Sequence, residues 1–431
     1  MDVAIVGAGF AGLAMAGELR RSGRDAFTVL ERGSSVGGTW RDNTYPGVAC
    51  DVPSHLYGLE RHPWPDWSGR FARGDEIHRY LQHVAETERL GSRLQLDTPL
   101  LGARWTGEAW QLDTGGAHPA TTTARHLVLA CGRLTEPVIP DIPGLETFAG
   151  PLFHSSRWDH TVPLAGRRIG VVGTGASAVQ LVPELVRRGA DVVLFQRTPA
   201  WIVPREDRAY SASERRRLAG RPDELAALRA QLYAEGEARH ASRSGDAAAA
   251  ALAQAEAEQH LARQVADPAL RRALTPDYAF GCKRVLLSDD FYPAVVSDAV
   301  TLEPSALDRV DDGVLVAASG ARHAVDTLVL ATGFAASQQP YADLIEGEEG
   351  TLAAHWSTGM TSYASTVVAG FPNLFVLNGP NASLGHNSSV LMVEAQAGYV
   401  ARTLDRAGDA VLRLRPEAET AYTPADCSTI T

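Results

Sequence analysis

Apolar residues gather along this chain in short runs that end at glycine. Val3-Ala-Ile-Val6 leads into Gly7-Ala-Gly9-Phe-Ala-Gly12, then a helical stretch to Arg21, then an apolar run to Leu30 that ends at Glu31. The same order returns later. Ile169-Gly-Val-Val172 leads into Gly173-Thr-Gly175-Ala176-Ser177-Ala178, a helical stretch to Arg188, and a run from Asp191 to Phe195 that ends at Gln196 and Arg197. Both read as strand, glycine turn, helix, strand. A second pair of echoes, Leu127-Val-Leu-Ala-Cys-Gly132 and Leu328-Val-Leu-Ala-Thr-Gly333, reads as two buried parallel strands closed by glycine.

These repeats predict an α/β protein with two Rossmann-like dinucleotide-binding domains, the second inserted in the first. The first domain is expected at 1–140 and again at 324–431, the inserted one at 141–323. Glu136-Pro-Val-Ile-Pro-Asp-Ile-Pro143 is proline-rich and suits an extended crossing linker. From about 206 to 275 Ala, Arg and Glu dominate, which predicts a helical subdomain of two or three helices added to the inserted domain. Low-complexity disorder is the alternative there, with Gly245 and Asp246 in a mobile loop.

Composition narrows the class. The 431 residues suffice for two to three domains at about 150 residues each. The chain is 45% hydrophobic and 21% charged, an ordinary folded mixture. A formal net charge of −11 opposes binding to nucleic acid or to anionic lipid. Cys50, Cys131, Cys282 and Cys427 are scattered without C-x-x-C or metal-type spacing, so reduced thiols in a cytoplasmic protein are expected, with no disulfide and no metal site. The apolar start lacks a basic leader and is broken by glycines, and no run approaches the roughly 20 apolar residues of a membrane span.

The first glycine turn directly follows a strand, opens a helix and meets Glu31 19 residues after Gly12. In that setting Gly7 permits the tight turn, Gly9 lets backbone approach a pyrophosphate at the helix N-terminus, and Glu31 accepts ribose hydroxyls. A tight turn without ligand is the alternative. In the second unit Gln196 takes the place of the acid and Arg197 and Thr198 follow, which favours a 2′-phosphate and hence NADPH over NADH. A solvated surface arginine is the alternative for Arg197. Two such sites, one acidic and one basic, suggest a flavoprotein that accepts hydride from NADPH. A flavoprotein disulfide reductase needs a close cysteine pair, and Cys50 has no near neighbour.

Phe148-x-Gly150-x-x-x-His154-x-x-x-Trp158-Asp159, just before the second glycine turn, resembles the fingerprint of the flavin-dependent Baeyer-Villiger monooxygenases. The sister flavin-containing monooxygenases usually carry Tyr or Phe and Lys at the end of that motif, so Trp158 favours the first family. Gly37-Gly38-Thr39-Trp40, Tyr45-Pro46-Gly47, Asp51-Val-Pro-Ser-His-Leu-Tyr57, Gly281-Cys-Lys283-Arg284, Ala331-Thr-Gly333-Phe334, Gly379-Pro-Asn381 and Gly385-His386-Asn387-Ser388 extend the resemblance to about residue 400. Two departures stand out. Family members usually continue past a segment like Ala425-Asp-Cys-Ser, which implies a C-terminal pocket wall that is absent or shortened here, and no extension precedes the first strand, which implies a minimal version of the architecture.

The resemblance implies a monooxygenase that uses FAD, NADPH and dioxygen, through a peroxyflavin, to convert a small-molecule ketone to an ester or lactone. Arg284 is expected to stabilise anionic oxygen, since guanidinium stays charged under burial, and Asp51 to hold and balance it. Lys283 is expected to reach the NADPH phosphate with Arg197 and Thr198, and Gln180 joins the expected cofactor contacts, as does Arg32. Trp40, Tyr57, Asn381 and His386 are expected around the flavin, and Trp201 as a pocket wall or a contact of the helical subdomain. His154 and Trp158, four apart, suit one helical face or a loop, with Phe148 and Gly150 in a linker that couples the domains; packed core residues are the alternative. N- or S-oxygenation and a redox-sensing or uncoupled flavoprotein are the competing functions. No residue pattern specifies substrate size or an oligomer.

Overall fold

The computed structural model describes residues 1–337 and 339–422; the Ala425–Ser428 segment, and Cys427 with it, lies outside the described residues. The first glycine unit builds a five-stranded parallel sheet in the order Leu374–Val376, His126–Leu129, Val3–Val6, Phe27–Leu30, Leu94–Gln95. The second builds another: Val300–Glu303, Asp191–Phe195, Arg168–Val172, Thr327–Leu330, Leu152–His154. Central strands such as Val3–Val6 and Thr327–Leu330 are buried along almost their whole length, as parallel strands covered on both faces must be. The late helix Ser389–Ala407 packs on the first-turn helix Phe10–Arg21, with Val393, Ala397, Val400 and Leu404 in one core with Leu13, Met15 and Leu19. Each such fully buried Leu or Val contributes about 1.5–3 kcal/mol. The chain thus returns to the first sheet, at Leu374–Val376, after building the second.

The point of return differs from expectation. Thr327–Leu330 pairs with Arg168–Val172 and Leu152–His154, so it belongs to the second sheet, and the first domain resumes beyond it rather than at Ala324. Each echo strand therefore serves its own glycine turn. The amide of Ala130 donates to the Val6 carbonyl at 2.8 Å, and that of Ala331 to the Val172 carbonyl at 2.9 Å. Those strand ends sit so close that a Cβ on Gly7 would lie 2.5 Å from the Ala130 oxygen, and one on Gly173 2.6 Å from the Ala331 oxygen.

The 206–275 region is helical, with four helices rather than two or three: Ala212–Gly220, Pro222–Glu237, Ala247–Gln264 and Pro268–Leu274. Local capping explains the breaks. Ser211 and Glu214 form a reciprocal capping box, Asp246 accepts from the amides of Ala248 and Ala249 at 3.0 Å, and Asp267 caps the helix that starts at Pro268. Asp246 therefore starts a helix instead of sitting in a mobile loop. A short parallel pair, Ile202–Val203 with Leu286–Leu287, ties the segment after Arg197 to the segment that carries Arg284. Among the described residues no helix is long and apolar enough to cross a membrane.

Gly173 holds φ +108° against backbone, whereas a Cβ on Gly175 meets nothing within 4 Å. Gly173→Ala is expected to cost at least about 2 kcal/mol and Gly175→Ala under about 1 kcal/mol. Calorimetric melting of the two variants checks this, and equal midpoints would contradict the packing of the echo strand on its turn.

Candidate active site

The first glycine turn opens onto a cavity of about 390 Å³ lined by Gly7, Gly9, Glu31, Arg32, Gly38, Thr39, Trp40 and Tyr57, within the usual range for a ligand site. Gly9 is the N-cap of its helix and no side chain caps it, which leaves backbone N–H groups for a phosphate. Gly12 packs behind the turn: a Cβ there would lie 1.8 Å from the Gly7 carbonyl oxygen. Glu31 is 4% exposed. It accepts from the amides of Ala8 and Gly33, both at 2.8 Å, and pairs with Arg41 at 2.7 Å. Arg32 pairs with Glu136 of the linker. On the far wall the Trp40 indole N–H donates to the Tyr57 hydroxyl at 3.3 Å, and Phe10 meets the Tyr57 ring edge-on at 5.0 Å.

The second turn repeats the uncapped helix end at Gly175, with Gly175 and Ala176 exposed, Ser177 half-buried and Ala178 in the core. The Thr174 hydroxyl donates to the Thr198 carbonyl at 2.8 Å, which ties the turn to the end of the next strand. Gln196 is buried with its amide donating to Ala273, whereas Arg197 is exposed beside it. Lys283 lies over the Tyr278 ring, 4.5 Å from its centroid, and the Tyr278 hydroxyl donates to Pro199, so Lys283 stands near the Arg197–Pro199 segment. Gln180 departs from its expected cofactor role. Its amide accepts from the Tyr45 hydroxyl at 2.9 Å and donates to the Ala49 carbonyl at 3.0 Å, so it fastens the Tyr45–Ala49 loop of the first domain onto the second.

Asp51 follows that loop. Arg284, from the other domain, donates to Asp51 Oδ2 through Nε at 3.0 Å and Nη2 at 2.5 Å. The aspartate charge raises the Arg284 pKa against an opposing desolvation, with Cys50 and Tyr57 also in electrostatic range. Arg284 keeps 53% of its side chain accessible and Asp51 24%, so the guanidinium is held on its Asp51 side and open on the other. Arg205 adds a second bridge between the domains, donating to the Cys50 carbonyl at 3.1 Å. His386 lines the opening at Arg284 rather than the larger cavity, 3.3 Å from Glu237. Asn381 is exposed at φ +63° and lines neither.

The fingerprint residues occupy packed positions. A Cβ on Gly150 would lie 2.3 Å from the Asp326 carbonyl oxygen, where the chain runs beside Thr327–Leu330. His154 ends a strand and Trp158 follows the 3₁₀ turn Ser155–Arg157, so they share no α-helical face. Nδ1 of His154 accepts from the Ser156 amide at 3.1 Å, its ring meets Phe334 at 5.4 Å, and burial lowers its pKa. Phe148 packs against the second domain's core, while Trp158 shares a core with Tyr45 of the first domain. Trp201 shares a small core with Ala257 of the helical subdomain and with Phe280 and Val285.

Comparison with known proteins meets this geometry at every level. A family model described as pyridine nucleotide-disulphide oxidoreductase matches residues 4–219. A Baeyer-Villiger monooxygenase of Streptomyces coelicolor is 44% identical over 402 residues, 93% of this chain and 77% of the relative. One from Pseudomonas aeruginosa is 42% identical over 92% of this chain and 76% of the relative. The chain belongs to the Baeyer-Villiger monooxygenase family. Solved structures agree with that membership: an oxidized steroid monooxygenase bound to NADP superposes with TM-score 0.85 at 30% identity, covering 98% of this chain and 89% of that one. An OTEMO complex with FAD and NADP gives TM-score 0.86 at 26% identity over 98% and 88%.

As a Baeyer-Villiger monooxygenase the chain needs a place for FAD, and the uncapped helix end at Gly9 with Glu31 at the far side of one cavity fits it. Cys131 also lines that cavity. Burial raises its thiol to about 12, and Cys50, Cys131 and Cys282 are all free, so no dithiol chemistry competes among the described residues. Sequence reasoning missed Arg41, which lines the cavity and pairs with Glu31 and Asp42. Its place directly after Trp40 was the available signal. Glu31→Ala is expected to weaken FAD binding at least about tenfold, because two amides and Arg41 lose their acceptor. Flavin titration by fluorescence quenching checks this, and unchanged affinity would contradict the placement.

Proposed function

We propose that this protein oxygenates ketones with NADPH and dioxygen: one oxygen atom enters between the carbonyl carbon and its neighbour, giving an ester or lactone, and the other leaves as water. The observation that supports this reading best is the Asp51–Arg284 pair beside the Tyr57 and Trp40 wall. FAD, when bound, takes hydride from NADPH and activates dioxygen. Arg284 keeps a positive charge where negative charge develops on oxygen during attack on a carbonyl, and its raised pKa leaves it protonated throughout the working pH range. Asp51 fixes that guanidinium through Oδ2. Gly9, Gly38 and Glu31 hold the adenosine and pyrophosphate portion of FAD, and Trp40 and Tyr57 exclude water from the wall nearer Asp51. Gly175 and Ala176 offer backbone to NADPH, and Arg197, Thr198 and Lys283 meet its 2′-phosphate. The relatives give no support to N- or S-oxygenation or to a redox-sensing role. A cytoplasmic setting accords with the free cysteines.

Arg284→Ala is expected to retain NADPH consumption while ester formation falls about 10²–10³-fold. Parallel assays of NADPH loss, hydrogen peroxide and ester by mass spectrometry read this, and a normal ester yield would defeat the role. Arg197→Ala is expected to raise KM for NADPH at least about tenfold and KM for NADH far less. An equal change for both coenzymes would place the 2′-phosphate elsewhere.

A further inference from the structure

The opening at Arg284 is rich in positive charge. It is a small cavity of about 30 Å³ lined by Arg239, Arg243 and Arg284, with Asp51 and His386. That volume admits one small polar group, since a water needs at least about 10–15 Å³ on this measure. Arg284 holds Asp51 Oδ2. Arg243, at the end of the 3₁₀ turn Ala241–Arg243 in the helical subdomain, is different: its Nε and Nη1 are buried with no hydrogen-bond partner among the described residues. Burial and the charges of Arg239 and Arg284 lower its pKa to about 10, which still leaves it protonated at neutral pH. Glu237, which pairs with His386 of the lining at 3.3 Å, also accepts from Asn387 at 2.8 Å and does not itself line the cavity. One carboxylate thus faces three guanidinium groups, and two buried donors point to no acceptor. Buried donors without acceptors are costly, and a planar guanidinium matches a carboxylate in two-point contact.

We infer that this cavity binds the carboxylate of an oxo-acid substrate, held by Arg243 with Arg239, so that the ketone carbonyl of the same molecule lies toward Arg284. The inference rests on the ketone-oxygenating function proposed above and narrows its substrate class. Neutral ketones of equal length then lack the strongest contact. Phosphate of the dinucleotide is the other anion that could meet these donors, and it predicts a different loss.

The test uses the FAD-loaded full chain with 4-oxopentanoate, 5-oxohexanoate and 6-oxoheptanoate, each beside its methyl ester, which removes the charge and keeps the ketone. At low salt kcat/KM for at least one acid is expected to exceed that for its ester about tenfold or more, and added NaCl erodes the difference. Arg243→Met is expected to shrink that ratio to below about threefold, and Arg243→Lys to retain part of it. Calorimetric binding of the preferred acid to the NADP⁺-loaded enzyme reads the same contact without turnover, and is expected to weaken in Arg243→Met. Esters turned over as well as acids by the wild type would overturn the inference while leaving ketone oxygenation standing. Failure on acids, esters and simple ketones alike would overturn the parent reading and the inference with it. Arg243→Met that weakens NADP⁺ binding but keeps the acid preference would assign the donors to the dinucleotide and overturn the inference.

Discussion

A guanidinium from one domain held by a carboxylate from the other is the constraint on which the rest of this structure depends. Asp51 and Arg284 are far apart in sequence and meet only because two dinucleotide-binding lobes close on each other. Several contacts fix that closure. Tyr45 and Ala49 engage Gln180, Arg205 reaches the Cys50 carbonyl, and Gly47 lies so near the second domain that a Cβ would stand 2.7 Å from the Gln180 oxygen. An isolated arginine held this close to protein would lose charge stabilisation through desolvation, and the aspartate offsets that loss. The Arg284 charge and the domain arrangement are therefore the same problem solved once.

Local order carries much of the architecture, and its main failure has a non-local cause. Both glycine turns were legible because strand, turn and helix follow each other within thirty residues and each step has its own signal. The echo Leu328–Gly333 was read correctly as a buried parallel strand but placed in the wrong sheet, because its run matches Leu127–Gly132 almost residue for residue and strand pairing is not a local property. Register decides it: Leu328 lies opposite Gly170 and Leu152, not beside Val3–Val6. The helical subdomain was legible as helical from its alanines, while the number of helices depended on caps at Ser211, Asp246 and Asp267 that composition does not reveal.

The site divides in the same way. Arg284, Asp51, Glu31, Trp40 and Tyr57 stand in short motifs with chemistry attached, and the structure brings Arg284 to Asp51 and gathers the other three around one cavity. Gln180 and His386 are also in motifs, yet their neighbours are set by packing between distant segments, so one became a domain clamp and the other a wall of the Arg284 opening. Arg243 had no signal at all. It sits in an alanine- and arginine-rich stretch where one guanidinium looks like any other, and only burial without an acceptor sets it apart.

The central claim is that Asp51 acts through Arg284 and not independently of it. A double-mutant cycle on ester formation with Asp51→Ala, Arg284→Ala and the double variant tests this most directly. The account predicts strong non-additivity, the double variant being no slower than Arg284→Ala alone and all three still consuming NADPH. Losses that multiply, with the double variant slower by the product of the two single effects, would contradict it.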